Sequence, residues 1–203
     1  MTYRQLPIGQ TAIQERVHQL ARDIKRAQGE GPLVLIGILD GCFVFLADLI
    51  RALDNVNTQV RTLRVSSYMG TACGRLRVHD HLDGELIRGH PVLVVDDIAD
   101  SHRTLRTVVN AIWECKPTTV ETAVIVRKPS RLDPHHAIEV DYVGFDIADR
   151  FVVGYGMDYK GWYRNLPYIG ALTRDANGRL THTGSQLGPR FPDQCGDPEV
   201  VSV

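Results

Sequence analysis

The chain has 203 residues, with 23 Lys and Arg against 24 Asp and Glu for a net charge of −1, and 43% hydrophobic and 23% charged content. This is the composition of one ordinary soluble globular domain, and it excludes a disordered, collagenous or disulfide-scaffold chain. The near-zero balance gives no global electrostatic reason to expect nucleic acid or an anionic membrane as partner, so an anionic ligand has to be held locally.

Four cysteines, Cys42, Cys73, Cys115 and Cys195, lie 31, 42 and 80 positions apart, without the close pairs that structural zinc or redox motifs use. The start, Met1-Thr-Tyr-Arg-Gln-Leu-Pro7, lacks a basic segment followed by an apolar run. No apolar stretch approaches the roughly 20 residues that a membrane-spanning helix requires. A cytoplasmic, unprocessed protein is expected.

Over residues 11–27, Ile13, Val17, Leu20, Ala21 and Ile24 fall at spacings of 4, 3, 1 and 3, which places them on one face of a helix. Leu33-Val-Leu-Ile-Gly-Ile-Leu39 is continuously apolar, as expected of a central parallel strand covered on both faces. A turn at Asp40-Gly41, a helix over 43–53, a strand over 60–67 and a polar loop over 69–74 follow. Residues 75–87 alternate, which predicts short exposed antiparallel strands around a loop near Asp83-Gly84. A second apolar strand over 91–98 carries two acids at its end and precedes a helix with Leu105, Val108, Val109 and Ile112 on one face. Three further strands are expected over 121–126, 142–145 and 151–154. Alternating strands and helices of this kind predict an α/β domain with a mostly parallel sheet and helices on both faces. Residues 173–203 carry four Gly and three Pro with no apolar period and are expected to form an irregular tail, separate from a domain over 1–172.

The strand that delivers Asp96, Asp97 and Asp100 to its end is followed at once by Ser101-His-Arg-Thr104, opening a helix. Ligands of open α/β sheets bind at such ends. The first helical amides, with the hydroxyls of Ser101 and Thr104, suit a phosphate. Asp96 and Asp97 would repel that phosphate, so they call for hydroxyl groups such as those of a ribose, or for a hard cation like Mg²⁺.

Val92-Leu-Val-Val-Asp-Asp-Ile-Ala-Asp-Ser-His-Arg-Thr-Leu105 resembles the phosphoribosyl pyrophosphate (PRPP) motif of the type I phosphoribosyltransferases. Lys128-Pro-Ser-Arg131, Tyr142-Val-Gly-Phe-Asp-Ile147, Phe151-Val-Val-Gly-Tyr-Gly-Met-Asp-Tyr159 and Tyr163-Arg-Asn-Leu-Pro-Tyr168 resemble the hypoxanthine (guanine) phosphoribosyltransferases, over about 6–172. The resemblance implies a mostly parallel central sheet flanked by helices, a small hood region and a mobile flap loop. It implies Mg-dependent transfer of the phosphoribosyl group from PRPP to hypoxanthine, guanine or xanthine in purine salvage, giving IMP or GMP and pyrophosphate. A cytoplasmic homodimer or homotetramer with no nucleic-acid or membrane partner is implied as well.

By the same resemblance, Asp100 is the general base at the purine's position-7 nitrogen, a role worth about 10²–10⁴-fold. Asp96 and Asp97 hold the ribose hydroxyls and a Mg²⁺ shell, while Ser101, His102, Arg103 and Thr104 cradle the 5′-phosphate. Lys128 meets the purine's exocyclic oxygen, Phe151 stacks on the base and the Val152 backbone reads its edge. Asp158 completes a second Mg²⁺ site with pyrophosphate and counts among the purine-binding residues, and Arg164 contacts pyrophosphate. The turn at Asp40 and Gly41 binds pyrophosphate through backbone amides. Ser67 and Tyr68 open the flap, which would exclude water from an oxocarbenium-like centre.

The chain departs from the family at Asp100-Ser101-His102, where Asp-Thr-Gly is usual. His102 either strains the backbone, at about 1–3 kcal/mol, or, at an ordinary φ, adds a donor to the phosphate or crowds it. Beside an anion the imidazole would become more protonated, and PRPP affinity would then weaken above neutral pH. An alternative is a catalytically impaired PRPP- or nucleotide-binding regulator on the same fold, and another is a pyrimidine-specific or secondary-metabolism transferase sharing the scaffold.

Overall fold

Residues 3–67, 76–78, 82–174 and 180–183 are described in this computed structural model. Helix α1 (Gln10–Gln28) buries the expected stripe of Ile13, Val17, Leu20, Ala21 and Ile24 and ends at Gly29, whose φ of 72° stops the helix. Strand β1 (Leu33–Leu39), helix α2 (Phe43–Leu53) and strand β2 (Thr58–Ser67) follow as a β-α-β unit. After β3 (Leu76–Val78) and the short helix α3 (Gly84–Ile87), β4 (Pro91–Ala99), α4 (Arg103–Glu114) and β5 (Thr119–Arg127) form a second such unit, and β6 (Tyr142–Asp146) completes the sheet.

The strands run in the order β3-β2-β1-β4-β5-β6. All pairs are parallel except β3, which runs antiparallel to β2. Successive side chains of a strand point to opposite faces. Leu35, Leu93 and Ile125 therefore pack with α1 and α2, while Val34, Val94 and Val124 pack with α4. The chain leaves β1 toward β2 and leaves β4 in the other direction toward β5. With right-handed crossovers this puts α2 and α4 on opposite faces and opens a crevice between the carboxyl ends of β1 and β4.

Three expectations need correction. Among the described residues, the segment expected to form antiparallel strands over 75–87 does so only in β3. Asp83 is instead the N-cap of α3, its Oδ1 accepting the Leu86 amide at 3.2 Å, because four residues ending in the buried Ile87 are too few for one period to be told from another. The strand expected over 151–154 does not join the parallel sheet. Val152–Val153 (β7) pairs antiparallel with Gly170–Arg174 (β8), and Leu180–His182 (β9) adds to β8, forming a separate three-stranded hood. The tail is accordingly not irregular throughout, since its described residues 173–174 and 180–183 belong to this hood, held by main-chain pairing that leaves little trace in side-chain pattern. No helix among the described residues is long and apolar enough to cross a membrane.

Candidate active site

The crevice at the carboxyl ends of β1 and β4 is a cavity of about 260 Å³, lined by Leu39, Gly41, Asp96, Asp97, Asp100 and the start of α4. Asp96 is 7% exposed, and its Oδ1 accepts the Asp97 amide at 2.9 Å. Asp97 Oδ1 accepts the Ile98 amide at 2.8 Å. Burial and the neighbouring Asp97 raise Asp96 well above the ordinary carboxylate range. Burial also raises Asp97, against the opposing pull of its hydrogen bonds and of the Arg164 cation. Two carboxylates crowded into a low-dielectric floor hold a proton or a cation readily.

Gly41 faces this pair directly. A Cβ at Gly41 would lie 1.8 Å from Asp97 Oδ2, so the absence of a side chain is what lets the first turn approach the acids. The peptide between Leu39 and Asp40 is cis. Cys42, next in the chain, is buried, and burial with Asp96 and Asp97 nearby pushes its thiol up, away from the thiolate form.

Asp100, Ser101 and His102 lead from β4 into α4, whose first amides have no intrahelical acceptor and open onto the cavity. His102 is the N-cap, with φ 62° and ψ 2° in the left-handed region. It is 6% exposed, and its Nδ1 lies 3.1 Å from the Ile138 carbonyl, to which it donates. Its Nε2 has no hydrogen-bond partner. Desolvation pushes its pKa below the ordinary histidine value, outweighing the hydrogen bond to Ile138. The ring is buried and bonded through Nδ1 to a backbone carbonyl, surroundings that favour its neutral form. The backbone strain expected of a non-glycine residue here is present, in the positive φ. Ser101 and Thr104 are half-buried and Arg103 is exposed at the same opening.

Lys128, at the end of β5, is 6% exposed. Its Nζ lies 3.1 Å from Asp100 Oδ2 and 3.5 Å from Asp149 Oδ1. Arg131, on the 3₁₀ turn Pro129–Arg131, places Nε 3.1 Å from Asp100 Oδ1 and 3.9 Å from Asp149 Oδ2. The structure therefore joins Asp100 and Lys128, both expected at the site, to Arg131 and Asp149, to which the sequence reading assigned no role. Arg131 closes the Lys128-Pro-Ser-Arg131 motif, and Asp149 sits in the charged Asp149-Arg150 pair just before Phe151. Those charges were the available signal.

Phe151 is 53% exposed, with its ring edge-to-face on Tyr159 at 5.8 Å. Val152 is buried and paired with Ala171. Asp158 is held by Arg164, with Nη2 2.9 Å from Oδ1, and by the Gly161 amide at 2.6 Å from Oδ2. Arg164 also reaches Asp40 Oδ2 at 4.0 Å and donates from Nη1 to the Gly156 carbonyl at 2.6 Å. Arg64 meets the other oxygen of Asp40 at 3.3 Å. The carboxylate of Asp40 is thus held between two arginines. Gly156, at φ 98°, packs so closely that a Cβ would lie 2.2 Å from the Gly41 carbonyl.

Asp158 does not join Asp96 and Asp97 in one cluster. Among the described residues no three His, Cys, Asp or Glu side chains come together as a metal site. A hard cation here would share one or two carboxylates with oxygens of a bound phosphate compound, the usual manner of Mg²⁺. Ser67 is the last residue of β2, while Tyr68 and the loop over 69–74 lie outside the described residues.

The model of the phosphoribosyl transferase domain matches residues 9–160, which defines the class. The chain is 37% identical to the hypoxanthine-guanine phosphoribosyltransferase of Dictyostelium discoideum over 85% of its length and 97% of that protein. It is 40% identical to the hypoxanthine phosphoribosyltransferase of Escherichia coli over 81% of its length and 93% of that protein. The crystal structure of a hypoxanthine-guanine phosphoribosyltransferase from Bacillus anthracis superposes with a TM-score of 0.77 at 34% identity, over 85% of this chain and all (100%) of that one. This chain belongs to the hypoxanthine-guanine phosphoribosyltransferase family.

Proposed function

We propose that this protein is a purine-salvage enzyme that transfers the 5-phosphoribosyl group of PRPP to hypoxanthine, with guanine and xanthine as further acceptors, releasing IMP or the corresponding nucleoside monophosphate and pyrophosphate. The observation that carries this reading is the convergence at the carboxyl ends of the central strands of a buried acid pair, a helix N-terminus and a lysine–aspartate pair, in a chain 37–40% identical to enzymes named for that reaction.

In the reaction the bond from the ribose anomeric carbon to pyrophosphate breaks, purine nitrogen 9 bonds to that carbon, and the proton on nitrogen 7 leaves. Asp100 takes that proton. Lys128 turns from Asp100 to the exocyclic oxygen, selecting oxo over amino purines, while the ring of Phe151 stacks on the base and the Val152 backbone reads its edge. The amides at the start of α4, with Ser101 and Thr104, bind the 5′-phosphate. Gly41 allows main-chain amides near the leaving pyrophosphate, Arg164 contacts it, and closure of the Ser67–Tyr68 flap excludes water.

The crowded carboxylates of Asp96 and Asp97 suit Mg²⁺ bound together with ribose and diphosphate oxygens, and Asp158 suits a second ion; bound Mg²⁺ supplies neutralisation of the leaving charge. Association as a homodimer or homotetramer would cover large apolar side chains left open on the single chain, such as Phe43 and Trp113. The cytoplasm is the compartment in which free thiols such as those of Cys42 and Cys115 persist.

A steady-state absorbance assay with PRPP and Mg²⁺ tests the reading, offering hypoxanthine, guanine, xanthine, adenine and uracil in parallel. Oxopurines are expected to turn over, and Asp100→Asn to lower kcat by about 10²-fold or more. Absence of turnover with every base overturns the proposal.

A further inference from the structure

Asp100 and Lys128 do not form an isolated ion pair. Two cations, Lys128 just before the 3₁₀ turn and Arg131 at its end, each meet two acids, Asp100 before α4 and Asp149 before β7. Their spacing is set by the turn itself, in which the Arg131 amide donates to the Lys128 carbonyl at 3.0 Å. The cations divide the Asp100 carboxylate between them, with Lys128 Nζ on Oδ2 and Arg131 Nε on Oδ1, both at 3.1 Å.

We infer that Arg131 is the positioning residue of the general base, holding one oxygen of Asp100 so that the other is presented to the purine when Lys128 leaves it. This rests on the transferase reading above. The charge arrangement permits the exchange at a single contact. When Lys128 swings to the purine oxygen, Asp149 remains its counter-charge, and Arg131 remains the counter-charge of Asp100, so no buried group is left unpaired. A carboxylate anchored at one oxygen by a planar guanidinium keeps its free lone pair in a defined direction, which a flexible ammonium would not do. Partly exposed pairs like those of Arg131 contribute little to stability, so the contact has little structural purpose of its own.

The test is a double-mutant cycle with Arg131→Gln and Asp100→Asn on the intact chain, reading kcat and KM for hypoxanthine at saturating PRPP, PRPP affinity by calorimetry and the thermal midpoint. Arg131→Gln is expected to lower kcat by about 10–100-fold, the order expected of misaligning a general base, with PRPP affinity and midpoint little changed. In the Asp100→Asn background the same substitution is expected to have almost no effect, because the group it positions is gone. Arg131→Lys keeps the charge without the planar fork and is expected to remain impaired. An unchanged kcat in Arg131→Gln, an equal loss in the Asp100→Asn background, or a loss confined to PRPP affinity each overturns the inference while the transferase reading stands. A wild-type chain that transfers to no oxopurine overturns that reading instead.

Discussion

His102 occupies a left-handed backbone position that a β-carbon makes costly and that histidine tolerates better than most residues. What it gains is a buried bond to the Ile138 carbonyl, pinning the loop before α4 to the segment before β6. Replacing it by Val, which is β-branched and has no donor, is expected to cost about 2 kcal/mol or more, read from denaturant midpoints. Its titration has a definite sign. The folded-state pKa is lowered by burial, so the unfolded chain binds the proton more readily. The contribution of a neutral His102 is then present above the unfolded value of about 6.5 and is lost as pH falls from there toward the lowered folded value. Relative to His102→Asn, which tolerates the same backbone and does not titrate, the wild-type midpoint should fall on acidification through that window; parallel profiles would contradict it. The identity and chain position of His102 were legible in the sequence. Its direction was not, because whether a ring faces a ligand or a carbonyl depends on what lies behind the loop, here Ile138 from a segment 36 positions away.

At the level of elements, the hood reaches the site through one turn. Tyr155, between Gly154 and Gly156, donates from its hydroxyl to Asp48 Oδ2 on α2 at 2.7 Å. Gly156 rests on the Gly41 carbonyl, and Arg164 grips both the Gly156 carbonyl and Asp158. Gly156→Ala would set a Cβ 2.2 Å from that backbone oxygen at a φ of 98°. It is expected to destabilise by roughly 2–4 kcal/mol, measured by chemical denaturation, because a backbone neighbour has little freedom to yield. The apolar runs of β1 and β4 and the stripe of α1 could be read from periodicity, since long elements repeat their pattern enough to exclude alternatives. The helical conformation of α3 could not, and for β7 the strand could be read but not its partner. Each spans only a few residues, and their conformations are decided by the Asp83 cap and by pairing with a distant strand.

For the molecule as a whole, strand order makes the site. The reversal between β1 and β4 opens the crevice, and the carboxyl ends of β1, β4 and β5 deliver Gly41, the acid pair and Lys128 to its rim. The second sheet depends on β9 and the residue after it: the Thr183 amide donates to the Ala171 carbonyl at 2.9 Å, the Ala171 amide donates to the Thr183 hydroxyl at 2.8 Å, and His182 Nδ1 lies 3.0 Å from the Tyr168 hydroxyl. A chain ending at Arg174 is expected to be less stable than one ending at Thr183 by about 2–3 kcal/mol, on the basis of about 1 kcal/mol for each such bond. Equal midpoints for the two truncations would show that the hood holds without its third strand.

The amino-acid sequence by itself determined the α/β class, the main helices and parallel strands, and the identity of Asp96, Asp97, Asp100, Lys128 and Phe151 as the residues to examine. Those properties follow from local periodicity and from contiguous motifs, both written along the chain. Only the tertiary structure decided that Asp40 is held between Arg64 and Arg164, that Asp100 and Lys128 are two members of a four-charge ring with Arg131 and Asp149, and that β7, β8 and β9 form a separate hood. These are contacts between side chains and strands brought together by folding. Coulombic and hydrogen-bond partnerships act over a few ångströms of space, and no spacing along the chain encodes them.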